Sequence, residues 1–361
     1  LQFRCRRSLS AQVSEESEAG IRILRPSAYR SLHKSFLHRF LFFFTFMFSS
    51  FWAGLWVKQV DIVWGTSPPI FQSVTAWLLA RLKGAKFLFE VRDLWPEFAI
   101  AVGVLKHPVL IALSLWLERF LYRRADRIVV NSPGYRAHVL QRGGLSGGVE
   151  VIPNGADPTM FHPEDRGAEF RARHGLSDSF VVLYAGAHGM SNDLGVALQA
   201  AARLQQVAPQ VRLVLVGDGK EKPNLQKQAL ALNLTNVLFL PAVPKAGMAE
   251  VLAAADACLA ILKPVEAYKL PYPNKVFDYM AAGRPILLAI DGVIREVVES
   301  AGCGLFVPPG DPQALAEAIV ALTADPERAR QMGLAGRAYL ETHFNRRRLA
   351  EHLLRILEEL D

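Results

Sequence analysis

From residue 60 onward, short apolar runs alternate with longer stretches of helical spacing, and this alternation restricts the chain to βαβ units built on parallel sheets. Val60–Trp64, Lys86–Val91, Arg127–Asn131 and Val149–Ile152 read as strands. Helices are predicted over Phe71–Lys83 and Val109–Arg124, and another starts at Ser132-Pro133-Gly134. Pro153-Asn154-Gly155 opens a turn-rich stretch that lasts to about Asp178, and a domain boundary is expected there. The alternation then restarts, with strands at Phe180–Tyr184, Val211–Val216, Val237–Leu240, Ala257–Leu262, Pro285–Ile290 and Gly304–Val307. A mostly helical part, Pro312–Leu360, follows, so the economical expectation is two Rossmann-like halves.

A chain of 361 residues, 51% hydrophobic and 21% charged, can bury a sizeable core in each half. Its net charge of +7 favours anionic partners: nucleic acid, acidic lipid or a phosphorylated small molecule. No basic run interleaved with stacking aromatics and no zinc-finger or RNA-recognition signature occurs, which argues against nucleic acid. Cys5, Cys258 and Cys303 are odd in number and far apart, so neither a disulfide framework nor a metal site is expected, and a reducing, cytoplasmic setting is the simpler one.

Phe40–Val57 is eighteen residues long, uncharged, and holds seven phenylalanines and two tryptophans. It admits three readings: a membrane span, a buried helix, or a helix dipped into a bilayer face, the last favoured by the flanking His33, Lys34, His38 and Arg39. The segment starting at Leu1 lacks the apolar core of a signal peptide, and residue 1 is not a methionine, so a processed or truncated chain is expected.

Charge follows the second strand at once, in Glu90-Val91-Arg92-Asp93-Leu94-Trp95-Pro96-Glu97. Asp93 reads as a helix N-cap, as a group facing a ligand, or as both at once, since open α/β sheets bind ligands at the carboxyl ends of their strands. In the second half, glycine turns follow two strands: Ala185-Gly186-Ala187-His188-Gly189 and Val216-Gly217-Asp218-Gly219. Such turns let a phosphate approach the backbone, or are merely tight βα turns; His188 is a phosphate donor or a solvent-facing turn residue. A sharper pattern is Pro273-Asn274-Lys275-Val276-Phe277-Asp278-Tyr279-Met280-Ala281-Ala282-Gly283-Arg284-Pro285, a short helix with Asn274 as its expected N-cap and Gly283 as its stop. Lys275 in the first turn opposes the helix dipole, which an anionic phosphate would explain. With Asp278 three residues on, the pair could take a nucleotide's phosphate and ribose, or form an i, i+3 surface ion pair.

Together, the segments Phe89–Glu97 and Lys275–Pro285 resemble family 4 glycosyltransferases, with the bacterial N-acetyl-L-fucosamine, O-antigen, capsule and colanic-acid transferases as the most similar branch. Further likeness runs through Thr66–Pro69, Glu118–Asp126, Val151–Asp157, Tyr184–Gly189 and Gly217–Gly219. The resemblance implies an α/β GT-B fold, two Rossmann-like domains facing across a cleft. It divides the chain into an acceptor-side domain at 1–160, a nucleotide-sugar domain at 161–343, and a helix at 344–361 that returns to the first domain. It further implies a retaining, metal-independent transfer from a nucleotide sugar, UDP-linked rather than GDP-linked, with no cofactor. The acceptor would be a saccharide or a polyprenyl-diphosphate-linked saccharide, at the inner face of the plasma membrane.

By the same resemblance, Asp278 is the second acid of a Glu-x7-Glu pattern, whose first acid is replaced by Leu270, with Glu266 four residues away. Donor phosphates would fall to Gly186, His188, Gly189, Asn192, Lys222 and Lys275. Asp93 would orient or deprotonate the acceptor hydroxyl, Arg92 would reach an acceptor diphosphate or neutralise Asp93 and Glu90, and Glu97 would cap or pair. The family's initial strand, glycine-rich turn and helix have no counterpart in Leu1–Ser31, so the first domain is expected to lack its first βα unit. Two rivals remain: a sugar-nucleotide 2-epimerase of the same fold, and a non-catalytic saccharide-binding subunit.

Overall fold

The computed structural model describes residues 6–7, 13–29, 36–101, 103–144 and 148–360, with backbone alone at 6–7, 36–37 and 39–40. His33, Lys34 and Cys5 of the sequence reading lie outside these residues. Two compact units form: residues 1–152 with 353–361, and residues 153–352.

The first unit starts with an antiparallel ribbon, β1 (Arg6–Arg7), β2 (Val13–Glu18) and β3 (Ile21–Pro26). No βα unit precedes the first helix among the described residues. Helix α1 (Phe36–Leu55) then leads into β4 (Ile62–Ser67), α2 (Ile70–Lys83), β5 (Lys86–Val91), α3 (Glu97–Ala101), α4 (Pro108–Arg124), β6 (Arg127–Val130), α5 (Pro133–Gln141) and β7 (Val149–Val151). The four strands are parallel in the order β4-β5-β6-β7. Because the order is sequential and crossovers are right-handed, α2, α4 and α5 lie on one face. Strand β5 is apolar almost throughout because it is covered on both sides. Phe87 and Phe89 stack at 5.8 Å, and Phe89 meets Tyr122 of α4, also at 5.8 Å. Leu88 points the other way and clusters with Val129, Ile356 and Leu360.

The second unit runs through α6 (Ala168–Arg173), β8 (Phe180–Ala185), α7 (Leu194–Val207), β9 (Val211–Val216), α8 (Lys222–Ala231), β10 (Val237–Leu240), α9 (Met248–Ala253) and β11 (Ala257–Ile261). It continues with α10 (Asn274–Ala281), β12 (Ile286–Ala289), α11 (Val293–Ala301), β13 (Gly304–Phe306), α12 (Pro312–Ala324) and α13 (Pro326–His343). Helix α14 (Arg346–Glu358) begins in this unit and finishes in the first, where Ile356 is buried. Six parallel strands take the order β10-β9-β8-β11-β12-β13. The order reverses between β8 and β11, which makes the carboxyl ends of these two strands the topological switch point, where such sheets bind ligands. Both faces carry an apolar layer, one including Val181, Leu183, Cys258 and Phe277, the other Val182, Tyr184, Leu198 and Leu287. Cys258 and Cys303 are buried and unbonded.

No described helix is long and apolar enough to cross a membrane, which removes the span reading of Phe40–Val57. Serines and threonine in α1 turn their hydroxyls back onto the helix, Thr45 onto Leu41 and Phe42, and Ser49 and Ser50 onto Phe46 and Met47.

Candidate functional site

At the switch point the turn after β8 meets the turn after β9. Gly217 holds a φ of +150°, and a side chain there would collide with the Gly186 carbonyl and come within 3.3 Å of His188 Nε2. Glycine is therefore required for the two turns to touch. The backbones are tied as well: Gly186 N–H donates to the Val216 carbonyl at 3.0 Å and His188 N–H to the Asp218 carbonyl at 2.8 Å.

Lys275, on the first turn of α10, reaches into this corner. Its Nζ lies 3.9 Å from the centroid of the Tyr184 ring and 3.0 Å from the point a Gly186 side chain would occupy. Burial pushes its amino group down to about 7. Helix α10 is placed by its apolar side, Val276, Phe277, Tyr279, Met280 and Ala281, all buried. The Tyr279 hydroxyl accepts from Ala185 N–H at 3.1 Å, fixing the helix to the end of β8. Pro273 precedes the helix and offers no side-chain cap; its carbonyl accepts from Val276 N–H at 3.0 Å, and no side chain caps the amides of Asn274 and Lys275, which face the start of the helix where an anion could bind. Asn274, expected as the N-cap, is instead the first helical residue, and its Oδ1 accepts from Asn154 Nδ2 at 2.9 Å. The proline already sets the extended backbone a cap requires, displacing the asparagine by one position.

His188 is fully buried, which overturns its solvent-facing alternative. Neither ring nitrogen has a hydrogen-bond partner. Burial first, then the Lys222 and Lys275 charges, pulls its pKa down to about 4 against the opposing pull of Asp218. A neutral imidazole with two idle nitrogens beside a desolvated ammonium group is costly unless an oxygen-rich ligand enters.

The other expected residues fall as follows. Gly189 and Asn192 close the same turn, Asn192 N–H donating to the Gly189 carbonyl at 3.1 Å. Lys222 spends its amino group inside the protein, donating to the carbonyls of Gly217 at 2.7 Å and Leu240 at 2.8 Å, so it braces the second glycine turn. Asp278 does not pair with Lys275: both its oxygens accept from Lys245 Nζ at 2.6 Å. Leu270 follows a 3-10 turn, Glu266–Lys269, in which Glu266 is exposed and paired with Lys269 at 2.7 Å. Tyr184 and Lys245 were missed, although both stand at or just past strand ends at the carboxyl edge, which was the available signal.

In the first unit, Asp93 is not a helix cap, since α3 starts at Glu97. The Tyr135 hydroxyl donates to Asp93 Oδ1 at 3.5 Å. Surrounding protein crowds the carboxylate although the residue is otherwise exposed; that desolvation raises its pKa against the Tyr135 bond and the Arg92 charge. Arg92 stays exposed, its carbonyl accepting from Asn131 Nδ2 at 2.9 Å, while Glu90 accepts from Trp64 Nε1 at 3.2 Å. Glu97 pairs with Arg142 at 3.2 Å.

Two family profiles match the chain: "Glycosyl transferase 4-like domain" over residues 3–155 and "Glycosyl transferases group 1" over 179–325. Alpha-maltose-1-phosphate synthase of Mycolicibacterium smegmatis is 30% identical over 69% of this chain and 67% of its own length. D-inositol 3-phosphate glycosyltransferase of Segniliparus rotundus is 31% identical over 62% of this chain and 50% of its own, so the match spans half of that relative. Among solved structures, HepE of Anabaena in complex with UDP and glucose superposes with a TM-score of 0.73 at 18% identity, covering 92% of this chain and 84% of HepE, which shows a shared fold. Two parallel α/β units with these matches make the chain a member of the group 1, family 4-like glycosyltransferases, of GT-B fold.

Proposed function

We propose that the protein is a retaining glycosyltransferase that moves a sugar from a nucleotide donor to a saccharide acceptor in cell-surface polysaccharide synthesis. The observation that carries this is the corner at the β8–β11 switch point: a half-buried Lys275 whose amino group has no carboxylate partner among the described residues, beside an unsatisfied His188 and a helix with no side-chain cap. An anionic group with many acceptor oxygens, such as the diphosphate of a nucleotide sugar, meets all three needs at once. UDP bound to HepE supports a uridine nucleotide as the donor.

In this reading the phosphate contacts stabilise the departing nucleotide, and the same face of the sugar then receives the acceptor, which gives retention. Lys275 and the α10 amides supply positive charge, so no metal is invoked, and transfer in the presence of a chelator tests that part. Asp93 is assigned to the acceptor hydroxyl, its raised pKa bringing it nearer the range of a useful base. The acceptor is taken to be lipid-linked, at a membrane surface.

Nucleotide release from a panel of UDP and GDP sugars, with and without saccharide acceptors, is the test. Acceptor-dependent release of one nucleotide is expected. Binding of no nucleotide sugar would overturn the proposal, and an epimerised free nucleotide sugar made without acceptor would replace it with the epimerase reading.

A further inference from the structure

Helices α1, α2 and α4 form one continuous layer, α1 packed on α2 and α2 on α4. The outward side of that layer is apolar where a water-soluble surface would be polar. Among the described side chains of α1 the exposed positions are Leu41, Thr45, Phe48 and Trp52, with Trp56 just past its end, a spacing of three and four that marks a single helical face. Trp52 is 62% exposed and Trp56 81%. Leu78 and Leu82 continue the surface on α2, and Val109, Leu110, Leu113 and Trp116 on α4, where Trp116 is 62% exposed. Scattered exposed hydrophobic residues need no explanation, but three adjacent helices presenting their large apolar side chains outward mark an interaction surface.

Charge says what covers it. The sequence of these three helices contains one acid, Glu118, and it is 1% exposed and held inside by the Tyr122 hydroxyl at 3.1 Å and His138 at 3.0 Å. The outward charges are all positive: Arg81, Arg119, Arg123 and Arg124 are exposed. Among the described residues, the other ion pairs of this unit, at Arg22, Arg25, Arg127 and Arg142, involve no residue of these helices. On α4 the two features meet in an open cavity of about 620 Å³, lined by Trp116, Phe120 and three arginines, Arg119, Arg123 and Arg124. Its aromatic floor is ordered: Trp116 stacks on Phe120 at 5.5 Å, and the Arg124 guanidinium lies 5.5 Å from the Phe120 centroid. Indole rings favour the boundary between headgroups and acyl chains, and guanidinium groups take phosphates. A second copy of the chain would bring arginine against arginine, with no exposed carboxylate on these helices to pair with it.

From this we infer that the α1–α2–α4 layer is the docking surface for an anionic lipid bilayer, with tryptophan and leucine side chains entering the interface and the α4 arginine cavity taking a lipid phosphate. The inference extends the membrane-facing part of the function proposed above and does not depend on sugar transfer.

The test is co-sedimentation of the full chain with vesicles of phosphatidylcholine alone and of an equimolar phosphatidylcholine–phosphatidylglycerol mixture. The parent chain is expected to partition onto the mixed vesicles, with a blue shift of tryptophan emission, and to be released by salt. Arg119→Glu with Arg123→Glu is expected to lower partitioning by about tenfold or more, and Leu113→Ser with Trp116→Ser to do the same while removing most of the blue shift. Circular dichroism and nucleotide binding, measured on the same samples, show that each variant is folded and report separately on the glycosyltransferase reading. The inference is overturned if the parent binds neither vesicle, if the charge-reversed variant binds like the parent, or if the serine variant changes the sedimenting mass of the protein rather than its vesicle binding.

Discussion

The ammonium group of Lys275 rests 3.9 Å above the centre of the Tyr184 ring, in a corner where other charged partners have been withdrawn. Asp278, one helical turn on, is held by Lys245, and the Tyr184 hydroxyl turns away to donate to the Ala187 carbonyl at 2.7 Å. A ring face compensates a cation only partly, so the amino group is under-solvated until an anion arrives.

Replacing Lys275 by methionine is expected to weaken binding of a nucleoside diphosphate by about tenfold to a hundredfold, since a charge-assisted bond to phosphate is lost. The same change should stabilise the fold. A lysine at about 7 in the folded chain and at its ordinary 10.5 when unfolded makes the unfolded state bind more protons between those values, so stability climbs with pH across that window and is lowest below it. Lys275→Met should remove that slope and gain about 1–3 kcal/mol at the acidic side, allowing for solvent access. Thermal unfolding of both proteins from acid to alkaline pH reads this out, and a variant less stable at every pH would contradict it.

Binding itself should take up a proton. At about pH 8 the free amino group is mostly neutral, and a bound diphosphate favours its charged form. The calorimetric enthalpy of UDP binding should then vary with the ionisation enthalpy of the buffer, and the variation should vanish in Lys275→Met. A buffer-independent enthalpy in the parent protein argues against Lys275 as the phosphate group.

Gly217→Ala should cost about 2–4 kcal/mol and abolish nucleotide binding, because the new methyl meets the Gly186 carbonyl and the backbone angle of +150° disfavours a side chain. Gly175→Ala is a useful control: its φ of +66° imposes backbone strain, but nothing lies within 4 Å of the added carbon. Equal losses in the two variants would mean that strain alone, and not contact between the glycine turns, sets the cost.

Asp93→Asn is expected to lower the transfer rate by about a hundredfold at saturating substrates, with little change in donor affinity. Since burial raises the Asp93 pKa, activity in the parent should fall as the pH drops through that raised value, and the folded state, which there favours the protonated carboxyl, should lose stability as pH rises through it. The amide avoids that loss, so the variant should be at least as stable as the parent at neutral pH. Wild-type rates in Asp93→Asn would remove the residue from catalysis.

Arg284 gives a purely structural prediction. It is 2% exposed and donates to the carbonyls of Leu252, Pro163, Ala253 and Asp165. Arg284→Met leaves those acceptors buried without donors and should cost about 3–5 kcal/mol by chemical denaturation.

The alternation of strands and helices was legible because both sheets are parallel and covered on both faces, so strands such as β5, β9 and β11 are nearly unbroken apolar runs. The glycine turns and Lys275 were legible because they break local rules. What stayed hidden depends on distant partners. Nothing near Asp278 in sequence points to Lys245, thirty-three residues earlier. For His188 the sequence left a phosphate donor and a solvent-facing turn residue equally open, because its enclosure comes from Tyr184 and Phe239, one near the end of β8 and the other near the end of β10. Asn274 showed an appropriate capping residue type, yet Pro273 had already set the backbone.

Helix α14 finally bears on the order in which the molecule can be made. Leu88 and Val129, central strand residues of the first unit, are sealed by Ile356 and Leu360, which are synthesised only after the whole second unit. During translation that sheet face therefore stands open, with Leu88 and Val129 uncovered, while the second unit can already close its own core. A ribosome-bound chain ending before Leu353 should be cut by protease in the first unit and spared in the second.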